Sequence, residues 1–493
     1  MIMPHVSRRG VLAGTLGAGA ILGLSSCGLN SKSRSSGLSD IEARESALTW
    51  SGKIKKFDLV ARLAEVDLGG RIAKTWVYGD SLPGKAIRVN KSDRVRVAFA
   101  NDLPTPTSVH WHGLAIRNDM DGVPGLTTPE IGSGKGFIFD FITPDAGTYW
   151  FHPHSGTQLD RGLYAPFIVE DPNEITQYER EWIVVLDDWT DGIGKNPDQI
   201  LNELKQGNAT SSGMGDMGDM GGMGGMGGMG AMESGDVTYP LYLVNGRPKN
   251  DPEIFTAKPG ERIRLRIINS AADTIFHIAL AEHIMRVTHT DGFPIEPYET
   301  PLLRIGMGER YDVTITVKDG VFPLVAEPVG KNEIARALLR TGSGRVPEPS
   351  YRPAELNGRP LTAENLRASE EVRLTIATLD RIQDLVLTGS MQPYEWKING
   401  RSYAETKPLS IKRNERGRIR IRNASMMPHP IHLHGHTFQL GIAGGARKDT
   451  VLVPSMGRID VDLVADNPGK WMLHCHNAYH AEAGMMTRFE YVK

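Results

Sequence analysis

The tripeptide His474-Cys475-His476, followed by His480 and Met485, concentrates the chain's most specific chemistry. It offers a thiolate, imidazoles and a thioether in one short stretch. With a second imidazole from elsewhere, Cys475, His480 and Met485 make the His₂Cys set with a weak axial Met that holds a blue copper. Successive side chains on a strand point to opposite faces. If Cys475 faces that copper, His474 and His476 face away from it together, towards another metal. The pattern predicts an electron-accepting copper joined to a second metal centre through a few backbone bonds.

Ligands so spaced need strands to aim them, and the sequence repeats one strand pattern three times. Asn101, Asn269 and Asn423 follow Gly79, Gly246 and Gly400 by 22, 23 and 23 residues. Each Asn closes a run alternating charged with apolar residues: Arg94 to Phe99, Arg262 to Ile267 and Arg418 to Ile421. That alternation marks a strand with one buried face. Three β-sandwich domains of similar plan are expected. His110-Trp111-His112-Gly113 follows the first Asn, and His432-Leu433-His434-Gly435 follows the third. The middle copy has Phe276-His277-Ile278-Ala279 there and no such pair. Later, Gly147 to His154 parallels Gly469 to His476, which adds the pairs His152/His154 and His474/His476. The middle domain reads as a spacer without ligands.

At 493 residues the chain has room for about three domains. Its 40% apolar and 23% charged residues are globular values, and a net charge of −2 points to no nucleic-acid partner. The 55 Gly and 30 Pro favour turn-rich β structure. Residues 1–27 read as an export signal. Ser7-Arg8-Arg9-Gly10-Val11-Leu12 resembles a twin-arginine motif, and the apolar run to Leu24 is short for a membrane span. Leu24-Ser25-Ser26-Cys27 resembles a bacterial lipobox with Cys27 as the lipidated residue; cleavage by ordinary signal peptidase is the alternative. Residues 28–49 are polar and Ser-rich in their first part, as a tether would be. With Cys27 lipidated or removed, Cys475 is the only thiol of the body, which leaves no intrachain disulfide.

Between residues 207 and 236 lies a low-complexity insert. Met214, Met217, Met220, Met223, Met226, Met229 and Met232 recur every third position, separated mostly by Gly. Gly at this density predicts a loop with a root-mean-square reach on the order of 30 Å. Thioethers are soft ligands suited to Cu(I). Copper capture and an inert linker are the two readings of this insert.

The four His-x-His pairs, their order, and Cys475 with His480 and Met485 resemble a three-domain multicopper oxidase, from about residue 50 to the end. The leader and the Met-rich insert make the chain most similar to the actinobacterial copper-tolerance enzymes, which oxidise Cu(I). The resemblance implies an all-β protein of three consecutive cupredoxin-like Greek-key β-sandwich domains, at 50–172, 173–347 and 348–493. It implies four coppers per chain. His429, Cys475, His480 and Met485 match the type 1 ligands. His110 and His432 match the type 2 ligands. His112, His152, His154, His434, His474 and His476 match those of the type 3 pair. The three-copper cluster would lie between the first and third domains and reduce O₂ to water.

Protons and substrate call for further residues. Asp121 sits where the family places an acid near the trinuclear site; a simple Asp-Gly turn is the alternative. Several bacterial relatives carry a Glu directly after the last type 1 His. Here that position is Ala481, with Glu482 one residue later as the second candidate acid. Asp449 reads as a fixed loop residue. Met427, two residues before His429, matches a Cu(I)-substrate ligand of the copper-tolerance branch, while core packing is its plain alternative. The branch's acid four residues before that His is replaced by Ser425. His277, His283 and His289 read as structural, and His436 as a support rather than a ligand.

Three functions compete on these residues: a cuprous oxidase, a laccase-like phenol oxidase, and a copper store using the Met loop as a sponge. Complete ligand sets argue against the store, which needs no ordered cluster. The expected partners are O₂, Cu(I) or a small phenolic donor, and a membrane through an N-terminal lipid anchor. The expected location is the outer side of the cytoplasmic membrane, periplasmic or extracellular.

Overall fold

A computed structural model describes residues 32–174, 177–207, 233–375, 378–442 and 444–493. Cys27 and the seven methionines from Met214 to Met232 lie outside them.

The three charged-apolar runs are strands Arg94–Asn101, Arg262–Asn269 and Arg416–Asn423. Each occupies the same place in its sheet. It pairs in parallel with the strand that opens its domain, Ile54–Asp67, Arg180–Trp189 or Arg381–Met391. On its other side it pairs antiparallel with Gly136–Ile142, Arg310–Thr316 or Arg458–Val464. A second sheet faces each of these, so every repeat is a two-sheet β-sandwich.

The recurrent Asn has a physical role. Its amide nitrogen donates to two backbone carbonyls in each copy: Thr105 and Ile131 from Asn101, Thr274 and Ile305 from Asn269, Met427 and Pro454 from Asn423. Its amide oxygen accepts the backbone N–H two residues on. One buried side chain thus satisfies the polar backbone where the chain leaves one sheet for the other. The repeated Gly ends a hairpin turn. Asn245-Gly246 and Asn399-Gly400 have φ of 51°, 72° and 52°, 71°, the paired left-handed values that tight hairpins require.

The strands that carry the paired histidines lie in the second sheets. His110–His112 pairs with Gly147–His152, setting His110 opposite His152. His429–Leu433 pairs with Lys470–Cys475, setting His432 opposite His474 and Ile431 opposite Cys475. The first sandwich has its own core around Trp111, Phe139 and Phe151. The middle and last sandwiches share one continuous core that also takes in Trp150 and Tyr164 of the first. That continuity holds the histidine-bearing strands of the outer domains in a fixed relation.

Helices are few. The segment read as a tether carries helix α1 (Lys32–Ser46), and part of it is docked. Ile41 and Glu45 are buried, and a Glu45 carboxylate oxygen accepts the Ile142 N–H at 3.2 Å. Helix α2 (Pro197–Gln206) starts with Pro at its first position and an Asn196 capping box, and ends on left-handed Gly207. The short helix α3 (Ala478–Glu482) carries His480. Among the described residues no helix is long and apolar enough to cross a membrane.

Candidate metal centres

Cys475 ends its strand, and the chain turns at once into α3. Asn477 makes that turn possible: its side-chain oxygen accepts the N–H groups of Tyr479 and His480 at 3.0 and 3.1 Å. Its amide also donates to Asp273 of the middle domain at 2.7 Å. His480 is thereby brought back onto Cys475. The Cys475 Sγ lies 3.6 Å from His429 Nδ1 and 3.7 Å from His480 Nδ1, with the two nitrogens 3.0 Å apart. All three residues are fully buried, as is Met485. The Met485 carbonyl accepts the Cys475 N–H, and its own N–H donates to the His480 carbonyl, both at 3.0 Å. A thiol and two imidazole nitrogens thus converge on one point beside a thioether-bearing residue.

The outer nitrogens of these imidazoles are also engaged. Ser425 Oγ lies 2.7 Å from His429 Nε2. Asp236, from the middle domain, places Oδ2 2.9 Å from His480 Nε2 and accepts the Tyr394 hydroxyl at 2.6 Å. Burial opposes charge on His480, but the Asp236 carboxylate outweighs it and raises the imidazole to about 10. The pocket favours positive charge there, whether a proton or a metal supplies it. Trp396 covers the pair, its ring centroid 4.0 Å from that of His480.

On the other face of the strand eight histidines gather, four from each outer domain. The ring nitrogens of His154, His434 and His474 form one close group; His110, His432 and His434 form a second; His110, His112 and His152 form a third. His476 joins the last, with its ring 4.9 Å from His112 and 5.2 Å from His152. His110 stacks on His434 at 3.8 Å, and His112 on His432 at 3.9 Å. Burial first, and neighbouring imidazoles second, hold His112, His154 and His434 well below the usual histidine range. Neutral rings with free lone pairs result.

Hydrogen bonds decide which nitrogen keeps its lone pair. The Nδ1 atoms of His110, His432, His152 and His474 donate to the carbonyls of Asp121, Asp449, Pro153 and Cys475 at 2.8, 2.9, 3.0 and 2.8 Å. His434 Nδ1 lies 3.0 Å from Asp121 Oδ2. Among the described residues, nothing hydrogen-bonds the buried opposite nitrogens of His110, His152 and His432, His112 Nδ1 or either ring nitrogen of His476. Unpaired buried nitrogens are costly unless a ligand takes them. A bound metal is what this arrangement fits, because ligating histidines commonly anchor their other nitrogen in this way.

Of the remaining candidates, Asp121 reaches the cluster through the two contacts above and is almost wholly buried. Glu482 does not. Among the described residues no hydrogen bond or ion pair joins its carboxylate to the eight histidines. Burial raises its carboxyl, with Lys205 and Asp198 of the α2 helix as its charged neighbours. Met427 is half-buried against the core, and Met426 is 51% exposed. His436 supports the cluster from behind, between the His434 carbonyl at 3.1 Å and the Tyr491 hydroxyl at 2.7 Å. Asp236, Trp396 and Arg310 were not expected from the sequence. Each reaches its centre from a distant stretch with no local motif.

Known proteins share this organisation. Multicopper oxidase family models match residues 62–174, 180–344 and 378–493. The multicopper oxidase MmcO of Mycobacterium tuberculosis is 48% identical over 98% of this chain and 97% of its own length. Copper resistance protein A of Escherichia coli is 28% identical over 87% of this chain and 91% of its own. In fold, the iron-import multicopper oxidase Fet3p superposes with a TM-score of 0.75 at 20% identity, covering 89% of this chain and 90% of that one. Three family segments in tandem and a full-length relative near half identity place the chain among the multicopper oxidases, copper-dependent oxidoreductases built from cupredoxin-like β-sandwiches.

Proposed function

We propose that this oxidase takes Cu(I) as its electron donor, releases Cu(II), and reduces O₂ to water in copper tolerance. Four coppers would serve it. His429, Cys475, His480 and Met485 would hold the type 1 ion, and His110 with His432 the type 2 ion. His154, His434 and His474 would hold one type 3 ion, and His112, His152 and His476 the other. Bound copper would supply one-electron acceptance at the first site and four-electron reduction of O₂ at the other three.

The chain's own residues do the rest. The Cys475 backbone continues directly into His474 and His476, so an electron leaving the thiolate has a short covalent path to both type 3 sets. Asp236 stabilises positive charge at His480. Asp121, almost wholly buried, sets its carboxyl oxygens 3.3 Å from His110 Nδ1 and 3.0 Å from His434 Nδ1, where it would relay protons to the site. Four Cu(I) ions give four electrons per O₂, and four protons complete two waters.

The observation that carries Cu(I) over a phenol is where the Met-rich insert is rooted. On one side, Lys205 Nζ of α2 donates to the Glu482 carbonyl at 3.3 Å. On the other, Asp236 meets His480. Both described flanks of seven thioethers therefore abut the type 1 motif, which supports capture of a soft ion beside its acceptor. The copper resistance names among the relatives support the same reading. Export by the twin-arginine route, with Cys27 lipidated, would set this activity outside the cytoplasm.

The test compares donors. All seven of Met214, Met217, Met220, Met223, Met226, Met229 and Met232 are replaced by Leu or Ser with the Gly spacing kept. Oxygen uptake is then followed with limiting Cu(I) and with a small phenol. Cuprous oxidation should slow while phenol oxidation stays level or rises. Equal loss with both donors would make the insert structural, and no loss with either would return it to an inert linker.

A further inference from the structure

Among the described residues the middle domain holds no cluster of metal-binding side chains, yet one of its side chains reaches the histidine cluster. Arg310 is fully buried, as is its partner Asp449. The guanidinium grips that carboxylate with both prongs, Nη1 to Oδ1 at 2.7 Å and Nη2 to Oδ2 at 2.6 Å. Its Nε donates to the Thr148 carbonyl at 3.0 Å and Nη1 also to the Gly308 carbonyl at 3.1 Å. The fork is thus fixed on three sides.

Asp449 in turn faces two metal-site histidines. Its backbone carbonyl accepts from His432 Nδ1, and Oδ1 lies 3.3 Å from His112 Nε2. Oδ1 also accepts the Thr450 hydroxyl at 2.8 Å, whose oxygen is 3.2 Å from His112 Nε2. The proton of His112 is thereby held on Nε2, and the buried, unpartnered Nδ1 is left to face inward. Gly113 makes room for this. A Cβ there would lie 2.4 Å from Arg310 Nη2 and 2.6 Å from Asp449 Oδ2, so only Gly lets the pair pass under the His112 backbone.

We propose that Arg310 is a positioning residue for the trinuclear centre: it fixes the Asp449 carboxylate, which fixes the tautomer and tilt of His112. The inference rests on His112 being a copper ligand. A bidentate guanidinium–carboxylate pair sets an angle as well as a distance, which an ammonium point charge does not. His112 stacks on His432, so a tilt of one ring passes to the other. The alternative is that the pair merely joins the middle and last domains.

Arg310→Lys, Arg310→Gln, Asp449→Asn and the double variant Arg310→Gln/Asp449→Asn separate these roles. Four quantities are read on copper-loaded protein: chelator resistance of the trinuclear copper, the type 2 electron paramagnetic resonance signal, kcat and KM for the donor, and Tm. Loss of a partner behind a metal ligand typically costs 10- to 100-fold in metal affinity or activity. Arg310→Lys should therefore lose about 10-fold in chelator resistance and in kcat. The type 2 signal should shift, while KM and the blue absorbance hold. The double variant should be no worse than Arg310→Gln alone. A lower Tm with copper retention, type 2 signal and kcat all unchanged would overturn the proposal, and so would additive losses. If the Arg310 variants do not fold, Asp449→Asn, which keeps its size, must give the same copper signature or the proposal fails. His112→Ala serves as a reference: full copper retention there would refute the ligand assignment itself.

Discussion

Gly308 offers a direct test of the cluster geometry, because the structure gives the size of the disturbance. Its φ is +82°, and a Cβ at this position would stand 2.8 Å and 2.9 Å from His476 Cδ2 and Cγ, and 3.1 Å from His112 Cε1. Contacts under 3.0 Å are not tolerated, so the His476 ring must move by roughly half an ångström to restore normal packing. Alanine in the left-handed region costs about 1–2 kcal/mol. That is a modest share of a typical stability of about 5–15 kcal/mol, so Gly308→Ala should still fold. The rings will yield first. Among the described residues nothing hydrogen-bonds either ring nitrogen of His476, so packing is what restrains the ring. Copper content should fall towards three per chain, and oxygen uptake should drop by at least about 10-fold, as for loss of support behind a ligand. Blue absorbance should persist, since the three atoms nearest the Cβ belong to His476 and His112 and not to Cys475, His429 or His480. Copper analysis, absorbance and oxygen consumption on one preparation decide the matter. A folded Gly308→Ala protein with full copper and wild-type uptake would show that His112 and His476 do not share a metal.

Other expected outcomes are simpler to state. Cys475→Ser should abolish the blue band and turnover while most of the remaining copper stays bound; a blue variant with normal uptake would sink the type 1 assignment. Replacing His152 and His154 together should stop O₂ reduction and leave the blue band, and unchanged turnover would break the division between the centres. Stripping the copper should lower Tm, because the unpartnered buried nitrogens lose their ligand and native-state binding no longer adds to stability; an apo protein as stable as the holo form would contradict this. Cys27→Ala should release the protein from the membrane fraction without loss of oxidase activity, and a wild type already wholly soluble would reject the lipid anchor.

The histidine clusters were legible because spacing encodes them. A His-x-His pair on a strand puts both rings on one face, and four such pairs at matching places in two repeats leave little else to explain. The three-domain plan was legible because one buried Asn closes the same strand in each copy. The surroundings were not legible, for a reason visible in Asp236, Arg310 and Trp396. Each belongs to a stretch whose local pattern is ordinary, and only tertiary packing brings it to a metal centre. The middle domain could be read as a spacer because it lacks His-x-His pairs. In fact it lends Asp236 to one centre and Arg310 to the other. Glu482 is a case of the opposite kind. Its place after His480 suggested a role at the cluster, but α3 turns it towards Lys205 and Asp198. Helix α1 was hidden by its Ser-rich composition, since the docked part of it rests on buried Ile41 and Glu45.

The even split of the eight histidines between the outer domains has a consequence in time. A ribosome adds about 5–20 residues per second, so the stretch from His154 to His432 takes tens of seconds to make. During that interval the first domain holds four imidazoles whose counterparts do not yet exist. That half can assemble the His110, His112 and His152 group alone; the groups that need His432, His434 or His474 must wait. The blue site closes later still, with Cys475, His480 and Met485. The order of residues along the chain therefore sets the order in which the clusters can close: one within the first domain, those shared with the third domain next, and the thiol site last.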